Sequence, residues 1–383
     1  MPHLLALLLT LTLTACGSAP STSGGPADDG GALETPDAGT SVDAGTVDAG
    51  SQDPWANVDG IVTAAVADAG VPGLSLAVYD AQDRRVFVKN QGDFEPTRRV
   101  AIASASKMVS GLVLFRLVDA GVLSLDTTTG QVLGWTGAQG TITLRHLLSF
   151  TSGLNPTANC NAQSGITLAQ CVDQIAAAAM VAPPGTRFDY GSTHLHVAAR
   201  MAEVLTGKEW KQLFAEQVKT PLGLTSEALA YYTFPRNTLG TTNPLIAGGL
   251  RATMDEYAKL LAIVYHQGIT VDGARYASQS LFEAQAREPY TVEVGSSPMA
   301  DVGLPFRYGL TAWLECATPS TGCAAVSSPG AFGFTPWVDR DSGYYAILGM
   351  ELEVTQVERV VAFAMALEQQ LRPAIRDAVA QTR

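Results

Sequence analysis

Residues 100–126 read VAIASASKMVSGLVLFRLVDAGVLSLD, with Ser104 and Lys107 three positions apart at the predicted start of a helix. Side chains at i and i+3 share a helix face, so the Lys107 amine reaches the Ser104 hydroxyl without help from distant sequence. Unpaired backbone N–H groups at a helix N-terminus also favour developing negative charge. Val109, Leu112, Val113, Phe115, Leu117 and Val118 follow, which predicts a helix buried on most sides. Burial penalises the charged form of a lysine, and the neutral amine is then able to take a serine proton. Alone, Ser-x-x-Lys is a weak pattern that a polar first turn with a solvated lysine explains better. Of six lysines, however, only Lys107 has a serine three residues before it.

Further segments extend the pattern in a fixed order. LVDAGVLSLDTTTGQVLGWTGAQGTITLRHLLSFTSGL ends in Thr-Ser-Gly-Leu at 151–154. PPGTRFDYGSTHLHVAARMAEVLTG carries Tyr190, LIAGGLRATMDEYAKLLA a Gly-Gly-Leu turn before a helix, and SSPGAFGFTPWVDRDSGYYAILGM the last strand-like runs. This set resembles the serine β-lactamase and penicillin-binding-protein superfamily, specifically its class C β-lactamase-like and esterase branch, over residues 53–383. The resemblance implies Ser104 as nucleophile, Lys107 and Tyr190 sharing the proton transfers, and the N–H groups of Ser104 and Ala331 as oxyanion donors. It also implies an α/β (α+β) fold in which an antiparallel sheet is flanked by helices and a mostly helical subdomain is inserted, with the cleft between them.

Two motifs depart from the family form. Ser192 stands where asparagine is usual, replacing an amide with a shorter hydroxyl. Ser328-Pro329-Gly330 stands where Lys or His, then Thr or Ser, then Gly is usual, so the positive charge that faces a substrate carboxylate is missing. Gly330 still permits close backbone approach. Ser192, Ser328 and Gly330 are the expected substrate-binding positions. The expectation is a covalent acyl-enzyme mechanism on a small ester or amide, with esterase-like activity favoured and no metal or organic cofactor. The alternatives are a D-Ala-D-Ala peptidase or β-lactamase acting near peptidoglycan, or a non-catalytic member that binds peptidoglycan or a protein.

The first residues, MPHLLALLLTLTLTAC, hold an apolar run too short to span a bilayer, ending in a lipobox-like Leu13-Thr14-Ala15-Cys16. Cleavage before Cys16, lipidation of its thiol and residence in the bacterial cell envelope are expected, with residues 1–16 as signal peptide. Residues 17–52 are rich in Gly, Ser, Thr, Asp and Ala and repeat Asp-Ala-Gly at 37, 43 and 48, the composition of a solvated tether. Export agrees with Cys160, Cys171, Cys316 and Cys323, whose spacing suits two local disulfides, one of three possible connectivities. Zinc ranks below this, since no Cys-x-x-Cys occurs.

Of the net charge of −12, residues 1–53 contribute seven acids and no Lys or Arg, leaving 29 acids against 24 bases. Neither a basic patch nor a phosphate-binding glycine loop points to a nucleic-acid partner. Gly-x-Ser-x-Gly and His-Glu-x-x-His are both absent. His194 and His196 fit a polar helix face, and His146 a structural hydrogen bond. A helix is predicted from Asp53-Pro54 to Gly70, strands over 74–79 and 85–90 with a turn at 81–83, strands near 308–315, 331–338 and 344–352, and a helix from about Gln356. Trp337, Asp339, Arg340 and Asp341 mark a strand end and turn.

Overall fold

The computed structural model describes residues 53–69, 71–233, 240–352 and 357–382. The predicted signal peptide, Cys16, the tether and Gly70 lie outside them. Asp53 opens the first helix by accepting the Trp55 N–H through its carboxylate, and its backbone oxygen accepts from Ala56. Helix α1 (Ala56–Ala69) leads into the hairpin β1 (Gly73–Asp80) and β2 (Arg85–Gly92), turned at Asp83, whose φ is 60°. A two-residue strand, β3 (Val100–Ala101), then precedes a 3₁₀ turn over Ala103–Ala105 and helix α2 (Ser106–Asp119).

The middle of the chain is mostly helical, as expected. It runs through α3 (Thr129–Leu133), α4 (Gly137–Gly140), α5 (Leu144–Leu148) and α6 (Leu168–Ala176) to the short strand β4 (Arg187–Asp189). Helices α7 (Thr193–Thr206) and α8 (Trp210–Phe214) follow, and α8 runs on into a π-helical turn over Ala215–Lys219. Strands β5 (Ala230–Tyr231) and β6 (Leu250–Ala252) form a small sheet with β3, in the order β3-β6-β5. Then come α9 (Met254–Tyr265), α10 (Gln279–Gln285), β7 (Glu293–Ser296), which pairs in parallel with β4, and α11 (Pro298–Asp301). Thr128, Thr143, Thr167 and Thr253 each cap a helix, accepting a backbone N–H three residues on.

The C-terminal part supplies β8 (Arg307–Tyr308), β9 (Trp313–Leu314), β10 (Ala325–Ser327), β11 (Thr335–Asp339), β12 (Tyr344–Gly349) and α12 (Val357–Thr382). The main sheet is antiparallel throughout, in the order β2-β1-β12-β11-β10-β9-β8. Alternation along β1 explains why every residue in it is buried. Leu74, Leu76 and Val78 face α1 and α12, whereas Ala77 and Tyr79 join the larger core that contains α2 and α9.

Two predicted strands are shorter than expected. The run 308–315 is a hairpin of two-residue strands, because Thr311 takes φ 61° and turns the chain against Gly111 of α2. The run 331–338 becomes a strand only at Thr335, since residues 330–333 form a turn closed by the Gly333 N–H on the Gly330 carbonyl. His194 and His196 are also corrected. Both are fully buried rather than on a polar face, because α7 is packed by α2, α3, α5, α6 and α8. Disulfides join Cys160 to Cys171 and Cys316 to Cys323.

Candidate active site

Ser104 lies in the 3₁₀ turn just ahead of α2, not on the α-helix itself. Ala103, immediately before it, has φ 44°, a conformation that costs a non-glycine residue energy and that the surroundings must hold. They do so from several sides. Ser106 Oγ donates to the Ala103 carbonyl at 2.6 Å and accepts the Leu250 N–H, while Tyr257 Oη donates to the Ala105 carbonyl. Ser104 is thereby held half-exposed while Lys107, one turn on, is only 3% exposed. The lysine sits behind the serine.

Lys107 Nζ donates to Ser104 Oγ at 2.9 Å and to the Ala247 carbonyl at 2.9 Å. Among the described residues it forms no ion pair. Burial without a countercharge pushes its pKa down from 10.5 to about 7. Tyr190 completes the group. Its hydroxyl faces the side chains of Ser104 and Trp313, its ring stacks on Trp313 at 5.1 Å, and Lys107 Nζ lies 4.6 Å from its centroid. Burial holds the phenol above its ordinary pKa, so it is protonated at neutral pH.

The loops that place Tyr190 explain the Thr-Ser-Gly-Leu and Tyr-Gly-Ser wording. A Cβ on Gly153 would lie 2.0 Å from the Ala182 carbonyl, and one on Gly191 2.0 Å from the Pro156 carbonyl. Ser152 Oγ pairs with His194 Nδ1 at 2.8 Å, and His194 Nε2 with the Asp189 carbonyl at 2.8 Å, directly before Tyr190. Burial pushes His194 down to about 4, so this ring is neutral and acts as a strut. His146 likewise serves structure, its Nδ1 accepting the Thr143 N–H in a capping box.

The remaining predicted positions are distributed as follows. Ser192 sits at the N-terminal end of α7, half-exposed, with its N–H on the Pro156 carbonyl and its side chain without a hydrogen bond among the described residues. Ser328 Oγ donates to the Ser104 carbonyl at 3.1 Å, fastening the strand end to the turn that carries Ser104. A Cβ on Gly330 would lie 2.2 Å from the Ile102 carbonyl, so its contact with this chain's own backbone already requires glycine there. Ala331 packs against Ala101, Ala103 and Phe332. Among the described residues neither the Ser104 nor the Ala331 N–H has a backbone acceptor, as an oxyanion site requires. Sequence reasoning missed Trp313 and the Ala247 carbonyl. Trp313 carries no local signal, while Ala247 precedes the Gly248-Gly249 turn already noted.

A family model described as Beta-lactamase matches residues 58–371. The chain is 34% identical over 166 residues to a protein named Penicillin-binding protein 4 from Amycolatopsis lactamdurans, covering 40% of this chain and 44% of that one. It is 28% identical over 152 residues to a Monacolin J acid methylbutanoyltransferase from Aspergillus terreus, covering 32% of this chain and 36% of that one. It therefore spans less than half the length of either relative. A solved structure from Bacteroides dorei DSM 17855, assigned there as a β-lactamase, superposes with TM-score 0.68 at 31% identity, covering 78% of this chain and 91% of that one. Fold, motif order and family model agree: the chain belongs to the Beta-lactamase family of the serine β-lactamase and penicillin-binding-protein superfamily.

Proposed function

We propose that this chain hydrolyses small esters through an acyl-enzyme on Ser104. The observation that carries the proposal is the buried amine of Lys107 at 2.9 Å from the Ser104 hydroxyl, with no carboxylate among the described residues to keep it charged. Ser104 Oγ attacks the carbonyl carbon while its proton passes to Lys107. The C–O bond to the leaving group then breaks, and the departing oxygen takes a proton from Tyr190, which Lys107 replenishes. The N–H groups of Ser104 and Ala331 hold the oxyanion, and a water repeats the sequence to free the acid and restore Ser104. Esters are favoured because Ser328 offers no positive charge and its hydroxyl is engaged by the Ser104 carbonyl. Ser192 and Gly330 border this cleft in the proposal.

The second reading is a D-Ala-D-Ala peptidase or β-lactamase, favoured by the name of the Amycolatopsis relative. One comparison separates them. The wild type should turn over a nitrophenyl butyrate far better than a cephalosporin, and Ser104→Ala should lose both turnover and fluorophosphonate labelling. Efficient cephalosporin hydrolysis with negligible ester activity would overturn the ester assignment, and undiminished turnover in Ser104→Ala would remove the nucleophile. Two disulfides and the Leu13–Cys16 pattern support an exported, lipid-anchored protein of three parts, 1–16, 17–52 and 53–383. Cys16→Ser should release it from the membrane fraction.

A further inference from the structure

Asp189 ends β4, directly before Tyr190, and is only 3% exposed. A carboxylate so deep needs partners. Its N–H donates to the Phe150 carbonyl at 3.0 Å, and its carbonyl accepts from His194 Nε2 at 2.8 Å. The side chain is engaged as well. Oδ2 lies 3.1 Å from Arg187 Nε in an ion pair, and Oδ1 accepts from Ser296 Oγ at 3.4 Å. Arg187 and Asp189 stand two apart on β4, so both side chains leave the same face of that strand.

Ser296 ends β7 and accepts the Tyr190 N–H at 3.0 Å through its carbonyl. Every residue of β7 is exposed, so apolar burial does not hold this strand against β4. The ion pair lies where it can. A Cβ on Gly295 would stand 2.0 Å from Arg187 Nε and 2.3 Å from Asp189 Oδ1, so β7 runs directly against the two side chains. An ion pair with a buried acid adds little net stability, because desolvation offsets the attraction. What this one supplies is geometry: the carboxylate fastens β7, and β7 fastens the backbone of Tyr190.

We propose that Asp189 is a positioning residue for Tyr190, its carboxylate setting where the phenol stands beside Ser104 by docking β7 through Arg187 and Ser296. The proposal rests on the acid role of Tyr190 given above, and Asp189 acts through that residue. Asp189→Asn keeps the shape of the side chain and removes the charge that pairs with Arg187. Misplacing a reacting group by about 1 Å costs on the order of 10²-fold, so kcat/KM for methyl butyrate should fall about ten- to a hundredfold. A nitrophenolate leaves without taking a proton, so for nitrophenyl butyrate the loss should stay within about twofold. Fluorophosphonate labelling of Ser104 should keep the parental rate. In the Tyr190→Phe background Asp189→Asn should have no further effect, because the hydroxyl it places is gone. Arg187→Gln, at a half-exposed position, should give the same leaving-group pattern and serves if the asparagine variant fails to fold. Equal losses for the two esters, or the same fold-loss with and without the Tyr190 hydroxyl, would overturn the role of Asp189 and leave the ester reading standing. Parental rates for both esters in Tyr190→Phe would instead remove the acid, and the proposal with it.

Discussion

The pH dependence of ester turnover should follow the titration of Lys107. Burial alone sets its pKa at about 7, since the two contacts of Nζ are uncharged oxygens at 2.9 Å. Only the neutral amine takes the serine proton, so a single site near 7 leaves a competent fraction of about 0.1 at pH 6 and about 0.9 at pH 8. The value of kcat/KM should therefore rise about tenfold over that interval and then level off. The buried groups nearest Ser104 and Lys107 stay clear of this window. Burial pushes His194 and His196 down to about 4, and Tyr190 is held above the ordinary phenol range. Initial rates of nitrophenyl butyrate hydrolysis, corrected for spontaneous hydrolysis at constant ionic strength, measure the limb. A profile flat from pH 6 to 9, or a limb centred above pH 9 as for a solvated ammonium, would refute the base assignment. Linkage has the same origin. The folded pKa lies below the unfolded value of 10.5, so the unfolded chain binds the extra proton between about 7 and 10.5 and stability rises with pH across that window.

Lys107→Met should lower kcat/KM by on the order of 10²–10⁴-fold while making the protein more stable. The depressed pKa costs up to about 4 kcal/mol at neutral pH, and two lost hydrogen bonds return part of it, leaving a gain of about 1–3 kcal/mol. Urea unfolding at pH 7 reads the sign, and a less stable methionine variant would contradict the burial argument. Tyr190→Phe should keep the stacked ring on Trp313 but lower kcat by roughly ten- to a hundredfold, the scale of a lost proton donor. Unchanged rates with an activated nitrophenyl ester and with an alkyl ester alike would remove its role. Gly330→Ala places a Cβ 2.2 Å from the Ile102 carbonyl, so it should cost about 1–3 kcal/mol of stability and lower kcat by displacing the Ser104 turn. Wild-type values of both in the alanine variant would show that the strand yields freely.

Legibility followed the range of the contacts. Ser104 and Lys107 meet across one turn, so their spacing alone brings them together, and Tyr190 came with a worded motif. The hairpin of β1 and β2 and the strand β12 were readable because these strands are long and bounded by turns. Trp313 was not, since it reaches Tyr190 from a strand of two residues set by the positive φ of Thr311. Nothing within a few residues of Trp313 encodes that. The same limit applied to His194 and His196: an i, i+2 pair reads as polar surface, yet five helices enclose α7. The polar expectation at 328 identified the missing cation but not the bond from Ser328 to the Ser104 carbonyl, which spans 224 positions of sequence.

That bond bears on why the departure at 328 is compatible with the proposed ester chemistry. A second cation beside Lys107 would depress its pKa further by repulsion, and would also attract a substrate carboxylate. In this chain the depression comes from burial alone. Activation of the serine and recognition of a carboxylate are therefore separate properties of the site, and replacing the cation with Ser328 removes the second while leaving the first. The hydroxyl is not idle, because it ties residue 328 to the turn whose Ala103 is held at φ 44°. A neutral ester makes no demand on the lost charge. It needs the half-exposed Ser104, the amine behind it and two unpaired N–H groups, and residue 328 takes part only by holding the turn.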